Sequence, residues 1–154
     1  MPSLRRTSSI TDTDISDATN PIARASTNSS CKSTVITKDK YMYTMSYDYG
    51  VRVSDVTDIN SIVLAGSDIT NKADIWQGTY GKMIIADNIL FQPNGSNALC
   101  TADISDPANP EFLGKQIVSS TYLSSANLIA IVDDNAFVTN YSNNTISALK
   151  LGTK

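Results

Sequence analysis

Apolar residues in this chain come in short bursts of four to seven positions, and within most bursts they alternate with polar ones. A period of two is the signature of strands with one face toward a core. A strand is predicted over residues 8–15, followed by segments at 22–26, 33–37, 41–47 and 51–56. The same rhythm continues at 62–66, 82–86, 89–92 and 98–104, and again at 111–119, 127–132, 136–141 and 145–151. Polar turns separate them: Lys38-Asp39-Lys40, Pro93-Asn94-Gly95-Ser96 with its Asn-Gly hairpin signal, and Asp133-Asp134-Asn135. No window carries a capped apolar stripe of period 3.6, so the reading is all-β.

Two strands break the alternation. Met83-Ile84-Ile85-Ala86 and Leu128-Ile129-Ala130-Ile131-Val132 are almost continuously apolar, which predicts burial on both faces. The chain also repeats. Asp14-Ile15-Ser16-Asp17, Asp55-Val56-Thr57-Asp58 and Asp103-Ile104-Ser105-Asp106 share one pattern, with first aspartates 41 and 48 residues apart. Ile146-Ser147-Ala148-Leu149 continues the alternation without aspartates, Leu149 standing where the first is expected. Repeats at about 16–58, 59–106 and 107–151 therefore fill one domain over residues 8–154, behind a flexible end at 1–7. Four-stranded units covered on both sides and recurring at this interval are what a β-propeller requires. A sandwich is the alternative, but it leaves the repeated aspartate turn unexplained.

The 154 residues suffice for one self-sufficient core. Ser and Thr number 36 and Asn 13, a composition suited to strands and loops. A net charge of −3 speaks against a nucleic-acid footprint. Histidine is absent, which removes the commonest general base and zinc ligand. Cys31 and Cys100 have no metal spacing and read as two separate thiols, with a single bridge between them as the alternative. No signal peptide is visible behind Arg5-Arg6, and no apolar run approaches a membrane span. The sequons at Asn28, Asn94, Asn140 and Asn143 are no more than this composition produces by chance.

The segment Ala102-Asp103-Ile104-Ser105-Asp106-Pro107-Ala108-Asn109-Pro110, followed by the Leu113-Gly114 step, resembles the repeat of the LVIVD propeller family. Residues 14–21 and 50–58 follow the same pattern more loosely, and Asn135-Ala136-Phe137-Val138 resembles one of that family's strands. The second copy lacks both prolines. The resemblance implies propeller blades and an extracellular or surface-associated setting, and it implies no activity.

The paired aspartates Asp14 and Asp17, Asp55 and Asp58, and Asp103 and Asp106 invite comparison with calcium loops. They lack the Gly and closing Glu such loops need. Recurrence at equivalent positions instead predicts a structural role, with carboxylates accepting backbone N–H bonds within the turn. No cofactor or metal is expected, nor is a catalytic residue, since no serine elbow or phosphate loop occurs. Tyr41, Tyr43, Met45, Tyr47 and Tyr49 share one strand parity and are expected to pack between units. Trp76 and Tyr80, in a stretch without regular pattern, together with Tyr47 and Tyr49, are the candidate ligand or partner contacts.

About three units are fewer than the four to eight blades that usually close a propeller. The expected architecture is a propeller-like array closed only by oligomerisation or by additional chain. Its expected function is that of a non-enzymatic module for protein interaction, partnered by itself or by other chains. A carbohydrate-binding surface centred on Trp76 is the alternative.

Overall fold

The computed structural model describes residues 9–14, 16–20, 22–28, 31–46, 50–66, 68–69, 81–94, 97–117 and 121–152. Among these the chain is all-β, with no helix. Sheet I is β1 (Ser9–Asp14) with β2 (Ile22–Asn28). Sheet II comprises β3 (Cys31–Lys38), β4 (Tyr41–Ser46), β5 (Gly50–Asp55) and β6 (Val63–Leu64). Sheet III comprises β7 (Ile84–Ala86), β8 (Ile89–Asn94), β9 (Ala98–Asp103) and β10 (Glu111–Ile117). Sheet IV comprises β11 (Ala126–Val132), β12 (Asn135–Asn140) and β13 (Thr145–Lys150). Each sheet is an antiparallel meander of chain neighbours.

The sheets are offset by one strand from the sequence repeats. The strand after each aspartate turn pairs back onto the strand before it: Asp55 opposes Val63, and Asp103 opposes Glu111. Each turn therefore closes a sheet instead of leading into the next, because it reverses the chain tightly enough for a hairpin. The predicted Pro93-Asn94 turn is likewise strand, with Pro93 opposite Leu99 and Asn94 opposite Ala98. Proline is tolerated there because β7 reaches only as far as Phe91, so no ladder bond to β7 is lost at Pro93.

Two-residue turns join the first and second strands of sheets II, III and IV. Asp39, Asp87 and Asp133 take the left-handed first position, with φ of 54°, 53° and 51°. Aspartate accepts that conformation at lower cost than a β-branched residue. The turns also tie sheets together: Lys38 Nζ donates to Asn88 Oδ1 at 2.5 Å and to the Asp87 carbonyl. Arg52 and Asp68 make a bidentate pair at 2.9 and 3.0 Å that holds the segment after β6 against β5.

Two cores lie between sheets. Tyr43, Met45, Val51 and Val53 of sheet II meet Leu90, Cys100, Ala102 and Met83 at sheet III. Phe91 and Leu99, from the other side of sheet III, meet Ala126, Ile129, Ala136 and Val138 of sheet IV, with Leu123. Tyr43 and Met45 thus share the inter-sheet face expected from their parity. Burial pushes the Tyr43 phenol up to about 12, so it stays neutral within the core. Cys100 is a buried thiol whose sulfur accepts from Asn94 Nδ2 at 3.9 Å. Cys31 lies in β3, but its side chain is outside the described residues.

Two glycines permit the close approach of neighbouring sheets. A Cβ on Gly66 would lie 1.9 Å from the Ala108 carbonyl oxygen, and one on Gly81 would lie 2.4 Å from that of Asn127. Both obstacles are backbone, so relief requires the sheets to part. Gly66→Ala and Gly81→Ala are each expected to lose about 1–3 kcal/mol in urea unfolding. Gly114→Ala, where nothing lies within 4 Å, should stay within about 0.5 kcal/mol of the parent.

Candidate interaction surface

The recurring aspartates point into their own turns. Asp17 Oδ1 accepts the Thr19 N–H at 2.9 Å and its hydroxyl at 2.6 Å. Asp55 Oδ1 does the same with Thr57, at 2.8 and 2.5 Å. Asp58 accepts from the Asn60 N–H at 2.9 Å, Asp103 from Ser105 N–H at 2.8 Å, and Asp106 from Ala108 N–H at 3.0 Å. Asn109 Nδ2 adds a 2.9 Å bond to Asp106. The bonds to N–H groups run from side chain to backbone two residues apart, and they satisfy the donors that a tight reversal exposes. Asp14 ends β1, with its side chain outside the described residues.

Charge follows the bonding. The Thr19 hydroxyl and N–H hold the Asp17 carboxyl below its usual range, and Thr57 does the same for Asp55. For Asp106 the largest influence is the Asn109 side chain, followed by the Ala108 N–H. The Asp55 carboxylate raises Lys40, whose Nζ is 3.4 Å from it. Among the described residues no three Asp, Glu or Cys side chains converge as metal ligands. No described helix is long and apolar enough to cross a membrane.

Trp76, Tyr80, Tyr47 and Tyr49 all lie outside the described residues. What the described chain does present is the outer face of sheet IV. Register identifies its counterparts. Tyr43, Phe91 and Phe137 are the third residues of β4, β8 and β12, and each opposes a small or aliphatic residue: Ile36, Ile84 and Ala130. Val51, Leu99 and Ile146 are the second residues of β5, β9 and β13. Tyr43 is 1% exposed beneath sheet III and Phe91 7% beneath sheet IV, whereas Phe137 is 40% exposed. Val51 and Leu99 are 0% and 2% exposed, against 70% for Ile146. Sheet IV carries the same apolar face as the other two and, among the described residues, nothing lies over it.

This corrects the expectation for the apolar run 128–132. In sheet III the matching strand is covered on both sides, Ile85 packing on one core and Ile84 and Ala86 on the other. Within the run 128–132 only Ile129 and Ile131 face a core, while Leu128 and Val132 are exposed. A second correction concerns the closing strand. Lys150 opposes Asn135 as Asp103 opposes Ile89, so Lys150, not Leu149, occupies the position of the missing turn aspartate. It pairs instead with Asp134 at 3.0 Å. The face residues Phe137, Val132 and Ile146 were not singled out by the sequence, because each fits a core position. The absent turn aspartate was the available signal that sheet IV differs.

Along the outer edge of β13 runs a cavity of about 630 Å³, lined by residues 145–149 with Thr121, Tyr122 and Asn143. The 121–125 turn is fixed beside it: Ser147 Oγ donates to the Tyr122 carbonyl, and Asn143 Nδ2 donates to that of Thr121 at 2.8 Å.

No protein-family model matches the sequence, and no curated protein does. Similar folds occur among solved structures. The computationally designed Ika4 protein superposes with a TM-score of 0.54 at 13% identity, over 77% of this chain and 64% of its own. The computationally designed Ika8 protein gives 0.54 at 12% identity, over 76% of this chain and 32% of its own. A functionally unknown protein from Desulfotomaculum acetoxidans gives 0.48 at 11% identity, covering 92% and 62%. The chain thus spans less than two thirds of each of these structures, and the likeness to the two designed proteins is one of fold.

Because Asp17, Asp55 and Asp106 are held below the usual 3.8, their contribution is complete above that value and lost as pH falls through the lowered ones. The double variant Asp55→Asn, Asp106→Asn keeps an acceptor oxygen in each turn but no charge. Its stability is expected to fall less steeply than the parent's below about pH 4 in urea titrations. An unchanged acid limb would remove these turns from the pH dependence.

Proposed function

We propose that the chain is a non-enzymatic interaction module, a propeller-like run of stacked sheets that docks a sheet of a second copy onto the outer face of sheet IV. The observation that carries this reading is the series Tyr43, Phe91, Phe137. The first two rings are buried by the next sheet in the chain, and the third stands in the same register on a bare sheet. Leu128, Val132 and Ile146 surround it. Contiguous exposed apolar surface of this kind marks association sites. The natural cover is a further sheet of the same design, because that is what covers the matching face of sheets II and III.

The rest of the sequence agrees with this reading. There is no histidine to serve as general base, and the recurring carboxylates are engaged in their own turns. The LVIVD resemblance, with its repeated blades, supports the same architecture.

Light scattering across a concentration series tests the proposal. The parent chain is expected to associate at micromolar concentration. Phe137→Asp, which places a charge at the centre of the face, is expected to weaken that association at least about tenfold while leaving the circular dichroism unchanged. A parent chain that stays monomeric throughout the series would overturn the reading, and so would a folded variant that associates as well as the parent.

A further inference from the structure

Among the described residues no strand pairs with the outer edge of β13, which presents a second and chemically different surface, made of backbone. In an antiparallel ladder, successive residues direct their N–H and C=O groups alternately to one neighbour and the other. The Leu151 N–H donates to the Asp134 carbonyl at 2.7 Å, which sets the parity. Thr145, Ser147 and Leu149 then bond β12, and Ile146, Ala148 and Lys150 direct their backbone groups outward.

In sheet II the equivalent groups are occupied. The carbonyls of Val51 and Val53, which match Ile146 and Ala148, accept the N–H groups of Ile69 and Ala65 at 2.7 and 3.0 Å. In sheet III, β10 lies along the equivalent edge, with Gly114 opposite Thr101 and Gln116 opposite Leu99. Both sheets gain this strand through an aspartate turn. At sheet IV the corresponding residues are Lys150-Leu151-Gly152-Thr153, which lack both turn aspartates.

The character of the edge is independent of that comparison. Exposed edges are normally shortened, bulged or otherwise protected against pairing. Among the described strands, β6 and β7 have two and three residues. The pairings of β3, β10 and β11 each contain a register shift, as does that of β1 with β2. β13 pairs regularly with β12 through all six of its residues. It is long, unbulged and free of proline.

We propose that this edge accepts an extended segment of a partner protein as an antiparallel fourth strand. The register of β10 states what that segment must carry. Phe112 opposes Ala102 and packs on the first core. The matching place on sheet IV is beside Leu149, at the cavity bounded by Tyr122, so the segment has a large apolar residue there. Glu111 opposes Asp103 within sheet III. At sheet IV the same position meets Lys150, so an acidic residue at the segment's N-terminal end gains an attractive partner. Main-chain bonds would supply affinity and these two side chains the selectivity, as in other strand-addition sites.

This inference rests on reading the chain as an interaction module, but it uses the edge and not the outer face. A fluorescein-labelled synthetic peptide with the sequence of residues 110–117 is the probe, titrated into the full chain by fluorescence anisotropy. Saturable binding is expected, with amide exchange at Ile146, Ala148 and Lys150 slowed at least about tenfold and that of Thr145, Ser147 and Leu149 unchanged. Ala148→Pro removes an outward N–H without touching the β12 ladder and is expected to weaken binding at least about tenfold. Below the concentration at which the parent associates, Phe137→Asp should bind the peptide like the parent, so loss of self-association and loss of strand addition are separately visible.

No binding at about 1 mM peptide would overturn the proposal, as would protection confined to other residues or an Ala148→Pro variant that binds normally. Protection of the three outward amides that rises with protein concentration in the absence of peptide would also overturn it, by assigning the edge to a second copy. Should Ala148→Pro fail to fold, the exchange pattern of the parent chain decides alone.

Discussion

Sheet III is apolar on both faces, and that single constraint organises the described structure. Leu90, Cys100 and Ala102 require a sheet on one side, while Phe91 and Leu99 require one on the other. Sheets II and IV satisfy them, so among the described residues the two cores are separate layers on either side of sheet III. Burial of this kind scales with apolar area removed from water, and each sheet added to a stack brings a new bare face with it. A stack of such sheets cannot satisfy itself at its ends. The exposed Phe137 and Ile146 are the direct consequence of the same pattern that buries Phe91 and Leu99.

The parts of the fold most legible in the sequence were those decided by local chemistry. An aspartate two residues before a Ser, Thr, Asn or Ala N–H forms its hydrogen bond whatever the rest of the chain does, and Asp55, Asp58, Asp103 and Asp106 all do so. The strand positions followed from alternation for the same reason. What the turns joined was not local. Whether the strand after Asp106 pairs backward onto β9 or forward into the next unit depends on hydrogen bonds between segments, and alternation reads the same in both cases. The sheets therefore fall one strand away from the repeats, and the position of Lys150 emerged only from its register opposite Asn135.

The candidate surface was less legible, for a physical reason. Apolar residues at strand period state that a face avoids water, not whether anything covers it. Leu128 and Val132 have the same character as Ile84 and Ala86, yet one pair is exposed and the other packed on a core. Exposure belongs to the arrangement of sheets. Trp76 and Tyr80 stand out in the sequence because their stretch lacks a pattern, whereas Phe137 does not stand out because it fits one.

Face and edge of sheet IV answer different physical demands. An apolar face is satisfied by almost any apolar cover, so it contributes affinity with little selectivity. An edge demands a partner backbone in one direction and one register, and any side-chain preference is fixed by that register. Phe137 and Ile146 lie on the face, while the backbone of Ile146 also belongs to the edge. One strand therefore couples the two. A segment paired along β13 would extend sheet IV to the width of sheets II and III and enlarge the apolar surface available to a covering sheet. Filling the edge would then favour covering the face, so in the proposed assembly the order would be set at β13.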